Sequence, residues 1–429
     1  MNASMSLRER RRRSTRVAFA AGMVVFVLLP ITSVVAWRAV RDSRAAQEVV
    51  ALPLRTIPVT PTALFAVLDD EDRLSALSIL AIDVDGAGGG VMVIPVNVAV
   101  PGTPEGEPKP LSQVFADEGA EGLQQAVQNM TNSQIDLVSV TNVDDTGALI
   151  ARAGTVEVNF LDNVTDSEQE VTSLIAERGP NSFSPIEAAE VLSALDLKIE
   201  DQRRTPAIRA IWDGVATAVG TGKLGAVPAV SSPDVGVQVP VDMMTFMSAM
   251  FSGPMTVWQL TVTPMDDYDS NPEGLDVYEY DSGEAVMVMA SMAPSAMVAV
   301  FPTLNVHVDS PYADIEVSRQ ASLRLLYMAT NVMLMRQVTD PPPPVTIVRY
   351  SDEMDKTIAE SLSLMLGELV FERATEGVEG IDIQIILGES FVEFMKTGAK
   401  PDPNIDPQDL ISTSTTTSPA ASTTTSVAP

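Results

Sequence analysis

The longest uninterrupted apolar run, VAFAAGMVVFVLLPITSVVAW from Val17 to Trp37, carries no ionised side chain. As a helix its 21 residues reach about 31 Å at ~1.5 Å per residue, enough for a bilayer hydrocarbon core of ~30 Å. Pro30 is tolerated inside such a helix, and Trp37 falls where interfacial aromatics prefer to sit. Six Arg precede the run and three follow it. That asymmetry keeps the N-terminus in the cytoplasm and places everything from about residue 45 outside. The run is long for a cleaved signal, and Arg38, Arg41 and Arg44 do not suit a small-residue cleavage site, so it reads as a signal anchor.

Past the anchor the apolar runs shorten. PLRTIPVTPTA is punctuated by proline and reads as a stalk. LSILAIDVDGAGGGVMVIPVNVAV predicts two strands joined by the turn at Gly86–Gly90. No Lys-Ser/Thr follows those glycines and a strand comes next, so the turn lacks the context of a phosphate loop. Pro95 interrupts the second run and marks a sheet edge, a bulge or a strand end. Leu123, Ala126, Val127 and Met130 recur at helical spacing and predict a helix over about 117–130. Strands are expected at 135–140 and 154–160, the latter alternating Val156, Val158 and Phe160. Ser184-Pro185 with Glu187 supplies a cap, a first-turn proline and the matching acid for another helix. Pro206 is expected to start the next one, with Ile208, Ile211, Trp212, Val215 and Val219 on its apolar face. The linker region between them carries Asp201, Arg203, Arg204 and Arg209, the densest basic patch beyond the stalk. It is an anion site or a set of surface ion pairs, with pairing ahead on base rates.

From Phe301 strands and helices alternate: LNVHV, an amphipathic run from Asp314 to Met335, VTIVRY, MDKTIAESLSLMLGEL and IDIQIIL. This β-α-β-α-β series predicts a small α/β layer domain, with the prolines at 341–344 as a rigid connection. The Ser/Thr-rich end of the chain cannot bury a core and is expected to be disordered. The chain thus divides into a basic cytoplasmic tail (1–16), a transmembrane helix (17–37), a stalk (38–62), a main domain (63–300), a C-terminal domain (301–396) and a tail (397–429). The fold class is α/β, an α/β/α layered main domain with a mixed sheet followed by a small βαβαβ domain.

Charge narrows the functions open to it. The chain holds 27 basic and 57 acidic residues, and removal of the two Arg-rich flanks of the anchor leaves 18 basic against 55 acidic from residue 45 onward. Such a surface repels phosphate backbones, so nucleic acid is excluded as a partner. The absence of cysteine removes disulfides, thiolate metal sites and a Cys nucleophile. His307 is the only histidine, inside LNVHV and without a G-x-S-x-G elbow anywhere, so it reads as structural. DDYDSNPEG at 266–274 puts Pro272 where a calcium loop needs Gly and Tyr278 where it needs Glu, and reads as an acidic turn. The methionines read as core filler.

The order of RLSALSILAID, VIPVNVAVPG, GLQQAVQNMTNSQIDLVSV and SPIEAAEVLSALDLKIEDQRR, behind a basic tail and one membrane helix, resembles the LytR-CpsA-Psr family. The segment 303–392, ending in IDIQIILGESF, resembles the accessory C-terminal domain often attached to it. The resemblance covers most of residues 60–395. It implies a membrane-anchored, outward-facing phosphotransferase that moves a glycopolymer from a polyprenyl-pyrophosphate lipid onto peptidoglycan. The expected apparatus is a magnesium ion, clustered Arg on the pyrophosphate and an apolar tunnel for the lipid. Carried over residue by residue, the resemblance keeps Arg73 but places Ser75 where the family has a metal-side Asp. The family's Ile-Pro-Arg-Asp turn becomes Ile94-Pro95-Val96-Asn97, losing the Arg and turning the Asp into its amide. An Arg-x-Arg pair falls in Leu192–Leu195, which has no Arg. Asp201 and Arg204 match an Asp-x-x-Arg, and an Arg-Gln pair becomes Ala207-Ile208, with Arg209 nearby as a substitute. Arg73, Arg204 and Arg209 are therefore the candidate pyrophosphate contacts, Asp201 a binding residue, and Ser75, Val96, Asn97, Ala207 and Ile208 degenerate positions with no metal ligand among them. Two functions follow: a transferase with weakened or lost catalysis that needs magnesium if activity survives, or a non-enzymatic envelope regulator or scaffold that binds wall-synthesis proteins.

Overall fold

Two neighbouring apolar runs build the centre of the first sheet. TALFAVL (β1, Thr62–Leu68) and LSALSILAI (β2, Leu74–Ile82) are buried at nearly every position on both faces, as strands are when a sheet is covered on both sides. They pair antiparallel across the turn at 69–73. The sequence reading expects the second of these strands within LSILAID but ends its stalk at residue 62 and places no strand at Thr62–Leu68. The computed structural model describes residues 53–102, 107–168, 171–232, 236–265 and 270–398. The anchor at 17–37 and the C-terminal tail lie outside them. Among the described residues no helix is long and apolar enough to cross a membrane.

β3 (Gly89–Ile94) returns antiparallel to β2 through the glycine turn. A Cβ on Gly89 would stand 1.9 Å from the Ala81 carbonyl oxygen, so close backbone approach is what requires glycine there. β3 stops at Ile94, directly before Pro95, which has no N–H to continue a ladder. α1 (Leu111–Thr131) starts earlier than its apolar spacing suggests because it is two helices joined at Gly119, which takes φ +67°. β4 (Leu137–Thr141) lies parallel to β1. α2 (Val143–Ile150) leads to β5 (Val156–Phe160), the hairpin of β6 (Val164–Glu168) with β7 (Val171–Ala176), and β8 (Gly179–Phe183), which pairs with β5. α3 (Pro185–Ser193) opens with the expected capping box, Ser184 N donating to Glu187 Oε2 at 2.7 Å.

α4 runs from Asp201 to Val219, so Pro206 sits inside it rather than at its start. The residues read as a linker are thus the helix's own opening turns, and Pro206 leaves the Gln202 carbonyl without its i→i+4 donor. α5 (Met243–Met250) precedes β9 (Met255–Gln259), which adds parallel to β3 at the sheet edge. The strand order is β9-β3-β2-β1-β4. One face packs on α3, α4 and α5, with Phe65 meeting Trp212 edge-on at 5.8 Å between ring centroids. The other face packs on α1 and on α6 (Ser282–Met292).

A short antiparallel pair, β10 (Val262–Pro264) and β11 (Tyr278–Tyr280), precedes α6. α6 is buried from Ser282 to Ala290 without a polar stripe, because it lies between two sheets. Its Glu284 is satisfied there by the Trp258 indole at 3.1 Å and the Thr261 amide at 2.7 Å. The second sheet is assembled from β12 (Asn305–Ser310), β13 (Asn331–Gln337), β14 (Thr346–Tyr350), β15 (Leu369–Arg373) and β16 (Ile383–Ile386) in the order β13-β12-β16-β14-β15. Its helices include α7 (Ile315–Tyr327), α8 (Glu353–Ala359) and α9 (Glu389–Thr397). The amphipathic run at 314–335 is therefore not one helix. α7 ends at Tyr327, Ala329 takes φ +53°, and the remainder is β13. Leu369–Arg373 supplies a fifth strand, where the expected series has three.

On the far face of this sheet His307 reaches Asp309. Its Nε2 is 2.9 Å from Asp309 Oδ1, although out of line for a hydrogen bond. Arg336 holds both oxygens of Asp309 at 3.0 and 3.1 Å, and Gln384 donates at 2.5 Å. Burial alone would raise the Asp309 carboxyl, but the His307 and Arg336 contacts outweigh it and hold the group well below the usual carboxylate range. A depressed folded value stabilises the protein fully above the unfolded pKa of ~3.9 and loses that contribution as pH falls through the folded one. Asp309→Asn is expected to lower the unfolding free energy by ~3 kcal/mol at neutral pH. In urea titrations the gap between variant and wild type should begin to narrow below pH ~4 and go on shrinking as the pH falls further.

Candidate functional site

The positions singled out in the sequence meet where β2, the turn after β3 and the start of α4 converge. Arg204, one turn into α4, is 8% exposed, so its charge has to be met by protein oxygen. Its Nη2 pairs with Asp201 Oδ1 at 2.7 Å. Nη1 donates to the Ser75 carbonyl in a short bond and to the Ala194 carbonyl at 3.3 Å. The guanidinium thus ties α4 to the middle strands of the sheet. Ser75 is fully buried, and its hydroxyl donates to the Val67 and Leu192 carbonyls at 2.8 and 3.1 Å. The Leu192–Leu195 stretch, which lacks Arg side chains, contributes backbone oxygens instead.

The turn after Pro95 closes onto the same helix. The Asn97 amide donates to Asp201 Oδ2 at 3.0 Å, so both carboxylate oxygens of Asp201 are taken. The Asn97 side chain is held at both ends: Nδ2 donates to Asp276 Oδ2 at 3.0 Å, and Oδ1 accepts from the Ser112 hydroxyl at 2.7 Å. An aspartate at 97 would face the Asp276 carboxylate with no proton between them, so the amide is what this arrangement requires. Asp276 Oδ2 also accepts the Asp201 amide at 2.9 Å, a first-turn donor of α4 that the Glu200 side chain does not cap. Asp276 Oδ1 receives a short bond from the Tyr278 hydroxyl. Burial, and then that bond, push the Tyr278 hydroxyl well above its ordinary value. Val96 is buried beside this turn, and its carbonyl accepts the Ser112 amide at 2.8 Å.

The other candidates are placed differently. Arg73 turns back into its own hairpin and pairs with Asp69 at 2.6 Å and Glu71 at 2.7 Å, with its side chain 34% exposed. Arg209 lies half-exposed on α4, 3.4 Å from Asp213. Ile208 is a core residue, and Ala207 lines a cleft. That cleft, of about 270 Å³, lies beside Arg204 and is bordered by Arg203, Asp162 and Asp196 but by neither Arg73 nor Arg209. Asp162 stands 4.0 Å from Arg203, and Asp196 accepts the Thr165 hydroxyl at 2.7 Å. With Asp201 included, two guanidinium groups face three carboxylates, and no positive field is left for a pyrophosphate. Below Arg204 the face of the sheet is filled by Phe65, Ile208, Ile211 and Trp212.

Magnesium, which the resemblance implies, does not fit these oxygens. Ser75 is committed to two carbonyls, Asn97 Oδ1 to Ser112, and both Asp201 oxygens to a guanidinium and an amide. Hard cations are held by several convergent oxygens, usually with one or two carboxylates among them, and here the one carboxylate at the matched positions, Asp201, is already neutralised by Arg204. Among the described residues no group of three or more His, Cys, Asp or Glu is arranged to hold a metal.

Sequence reasoning overlooks Asp276, Tyr278 and Ser112. DDYDSNPEG reads as an acidic turn, and no local signal links Asp276 to an asparagine 179 positions earlier.

No protein-family model and no curated protein matches the chain. Among solved structures it is similar to TagV of B. subtilis, at 15% identity over 53% of this chain and 94% of that one, with a TM-score of 0.39. It is also similar to B. subtilis TagT, at 13% identity over 54% and 88% with a TM-score of 0.36. The LytR-Csp2A-Psr enzyme from Actinomyces oris aligns at 14% identity over 51% and 90%, with a TM-score of 0.34.

The geometry makes Arg204 structural and Arg73 peripheral. Arg204→Met should cost ~3–5 kcal/mol, because Asp201 is left buried without its cation. Arg73→Ala should cost less, ~1–2 kcal/mol, because its guanidinium is partly solvated and buried Asp69 keeps the Glu71 and Arg73 amides as donors. Equilibrium urea unfolding of both variants checks the ranking.

Proposed function

We propose that this chain works in cell-wall glycopolymer assembly as a LytR-CpsA-Psr-like protein whose phosphoryl-transfer centre no longer turns over. The observation that carries this reading is the closed circuit of Arg204, Asp201, Asn97 and Asp276. Its cation and carboxylates are spent on one another and on backbone groups. Transfer from a pyrophosphate needs cations free to meet charge that develops on the departing phosphate, with a metal to share it. The loss of a single such donor typically costs ~10²–10³ in rate, and here several matched positions are substituted. The process itself is supported by the order of motif remnants from Arg73 to Arg204 and by Pro95, which keeps the turn while the charges around it are gone.

In this reading residues 17–37 anchor the chain, the bulk lies outside the membrane, and magnesium is dispensable. The protein acts by binding wall-synthesis proteins, with the layer at 301–396 as its contact, and any hold on a lipid-linked precursor or peptidoglycan is weak. Full-length protein in detergent, given a polyprenyl-pyrophosphate-linked glycan and magnesium, should release polyprenyl phosphate no faster than a protein-free control. Cross-linking in intact cells should capture wall-synthesis enzymes, and deletion of 301–396 should abolish the capture. Magnesium-dependent release that Arg73→Ala eliminates would overturn the reading.

A further inference from the structure

We propose that an apolar end of the main domain, built around Leu224, Val227, Val241 and Met244, docks on a lipid surface, the one that residues 17–37 enter. This rests on the reading of 17–37 as a membrane anchor. A lone exposed apolar side chain needs no explanation, whereas a cluster of them marks a surface that something covers. Among the described residues of 224–244, six large apolar side chains are exposed: Leu224 fully, Val241 at 87%, Val227 at 63%, and also Val230, Val239 and Met244. Backbone bonds to folded elements hold them in place. The Lys223 amide donates to the Phe251 carbonyl at 2.7 Å, at the end of α5, and the Val227 amide donates to the Ser248 hydroxyl at 3.0 Å. The Ala229 amide donates to the Gly86 carbonyl at 2.7 Å, and the Gln238 amide to the Ala229 carbonyl at 2.8 Å. Arg152 lies against Gly225, and with Leu149, Met244 and Met247 it borders an open depression beside the loop.

The position of this end decides what covers it. At ~1.5 Å per residue α4 carries the chain about 28 Å from Asp201 to Val219, so the patch lies at the far end of the helix from the Arg204 site. The glycine turn is at the same end, bonded to Ala229. So is the point where the chain enters the first sheet: Thr62 pairs with Ala81, and the Ile82 amide donates to the Pro61 carbonyl at 2.9 Å. The segment that follows the anchor in sequence thus joins the sheet at its apolar end. At ~3.4 Å per extended residue, the interval from Trp37 to Thr62 is long enough for that end to touch a bilayer. Leu224 and Val241 stand out from loops rather than from a flat packed face, a form suited to a headgroup layer that closes around inserted side chains. The charges nearby are mixed, Lys223 and Arg152 with Asp83, Asp85 and Asp242. Insertion therefore carries the contact, and the lipid need not be anionic.

The test uses full-length protein in phosphatidylcholine vesicles. The chain has no cysteine, so Leu224→Cys, Val241→Cys and Leu161→Cys each offer a single site for a fluorophore. Leu161, exposed beside the cleft at Arg204, is the control. A lipid nitroxide placed high on the acyl chain should roughly halve the emission at 224 and 241, the depth that interfacial side chains reach, and leave 161 unchanged. Adding Leu224→Glu to the Val241→Cys chain should abolish the quenching at 241. Flotation of the vesicles before and after sodium carbonate reads the anchor separately. Protein that floats through carbonate but shows no more quenching at 224 and 241 than at 161 overturns the docking and leaves the anchor intact. Labels shielded from aqueous iodide yet untouched by the lipid nitroxide also overturn it, because a second copy of the chain then covers the patch. Protein that carbonate strips, but whose labels at 224 and 241 were quenched beforehand, keeps the docking and overturns the anchor. Protein that neither floats nor is quenched overturns both.

Discussion

A guanidinium out of water has to be surrounded by oxygen, and the region around Arg204 is organised by that demand. Its partners are carbonyls of β2 and of the segment after α3, together with a carboxylate from its own helix. Each contact joins a different element, so the charge fixes how α4 sits on the sheet. Once Asp201 is committed to Arg204, its second oxygen sets the position of the Asn97 amide, and Asn97 in turn sets the position of Asp276. The chain of constraint runs outward from one buried cation. A substrate phosphate would have to compete with these internal partners for donors already placed at good geometry, and a ligand gains little where it must first break bonds of the kind it offers.

The same economy is visible in the second sheet. The chain is acid-rich, and among the described residues several Arg residues are found against carboxylates: Arg319 with Asp281 and Glu316, Arg336 with Asp309, Arg349 with Glu372. Arg324 is placed differently, fully buried over the Phe394 ring at 5.4 Å, with the Met365 carbonyl at 3.1 Å. Its burial lowers its pKa, since the charged form is denied water. Surface pairs of this kind contribute little each to stability. Their consequence here is for recognition, because a neutralised guanidinium attracts a distant anion weakly.

α6 explains why the two sheets share one apolar cluster. A helix with an apolar stripe covers one surface, whereas SGEAVMVMASM has no polar side and can be covered on both. Methionine suits that position because its unbranched thioether adapts to two dissimilar surfaces, and Met287, Met289 and Met292 all contribute to this cluster. The price is paid at Glu284, whose buried carboxylate is tolerable only because Trp258 and Thr261 donate to it.

Local chemistry was legible wherever the determining partners lie within a few residues. The Ser184–Glu187 capping box, the alternation of Val156, Val158 and Phe160, the glycine turn and the strand end before Pro95 all rest on such short-range rules, and each is present. The reading stumbled where a longer-range contact overruled the local signal. Pro206 lies inside α4 because Asp201 already starts the helix with a cap brought in from Asp276. The run at 314–335 breaks because its second half is needed as an edge strand beside β12. Residue types alone established that Val96 and Asn97 lack the charges of a phosphate turn, since composition cannot be altered by folding. Whether the surviving Arg73, Arg204 and Arg209 still converge was a matter for tertiary structure. Charge says nothing of direction, and the neighbours that claim each guanidinium come from strands and turns far away in the chain.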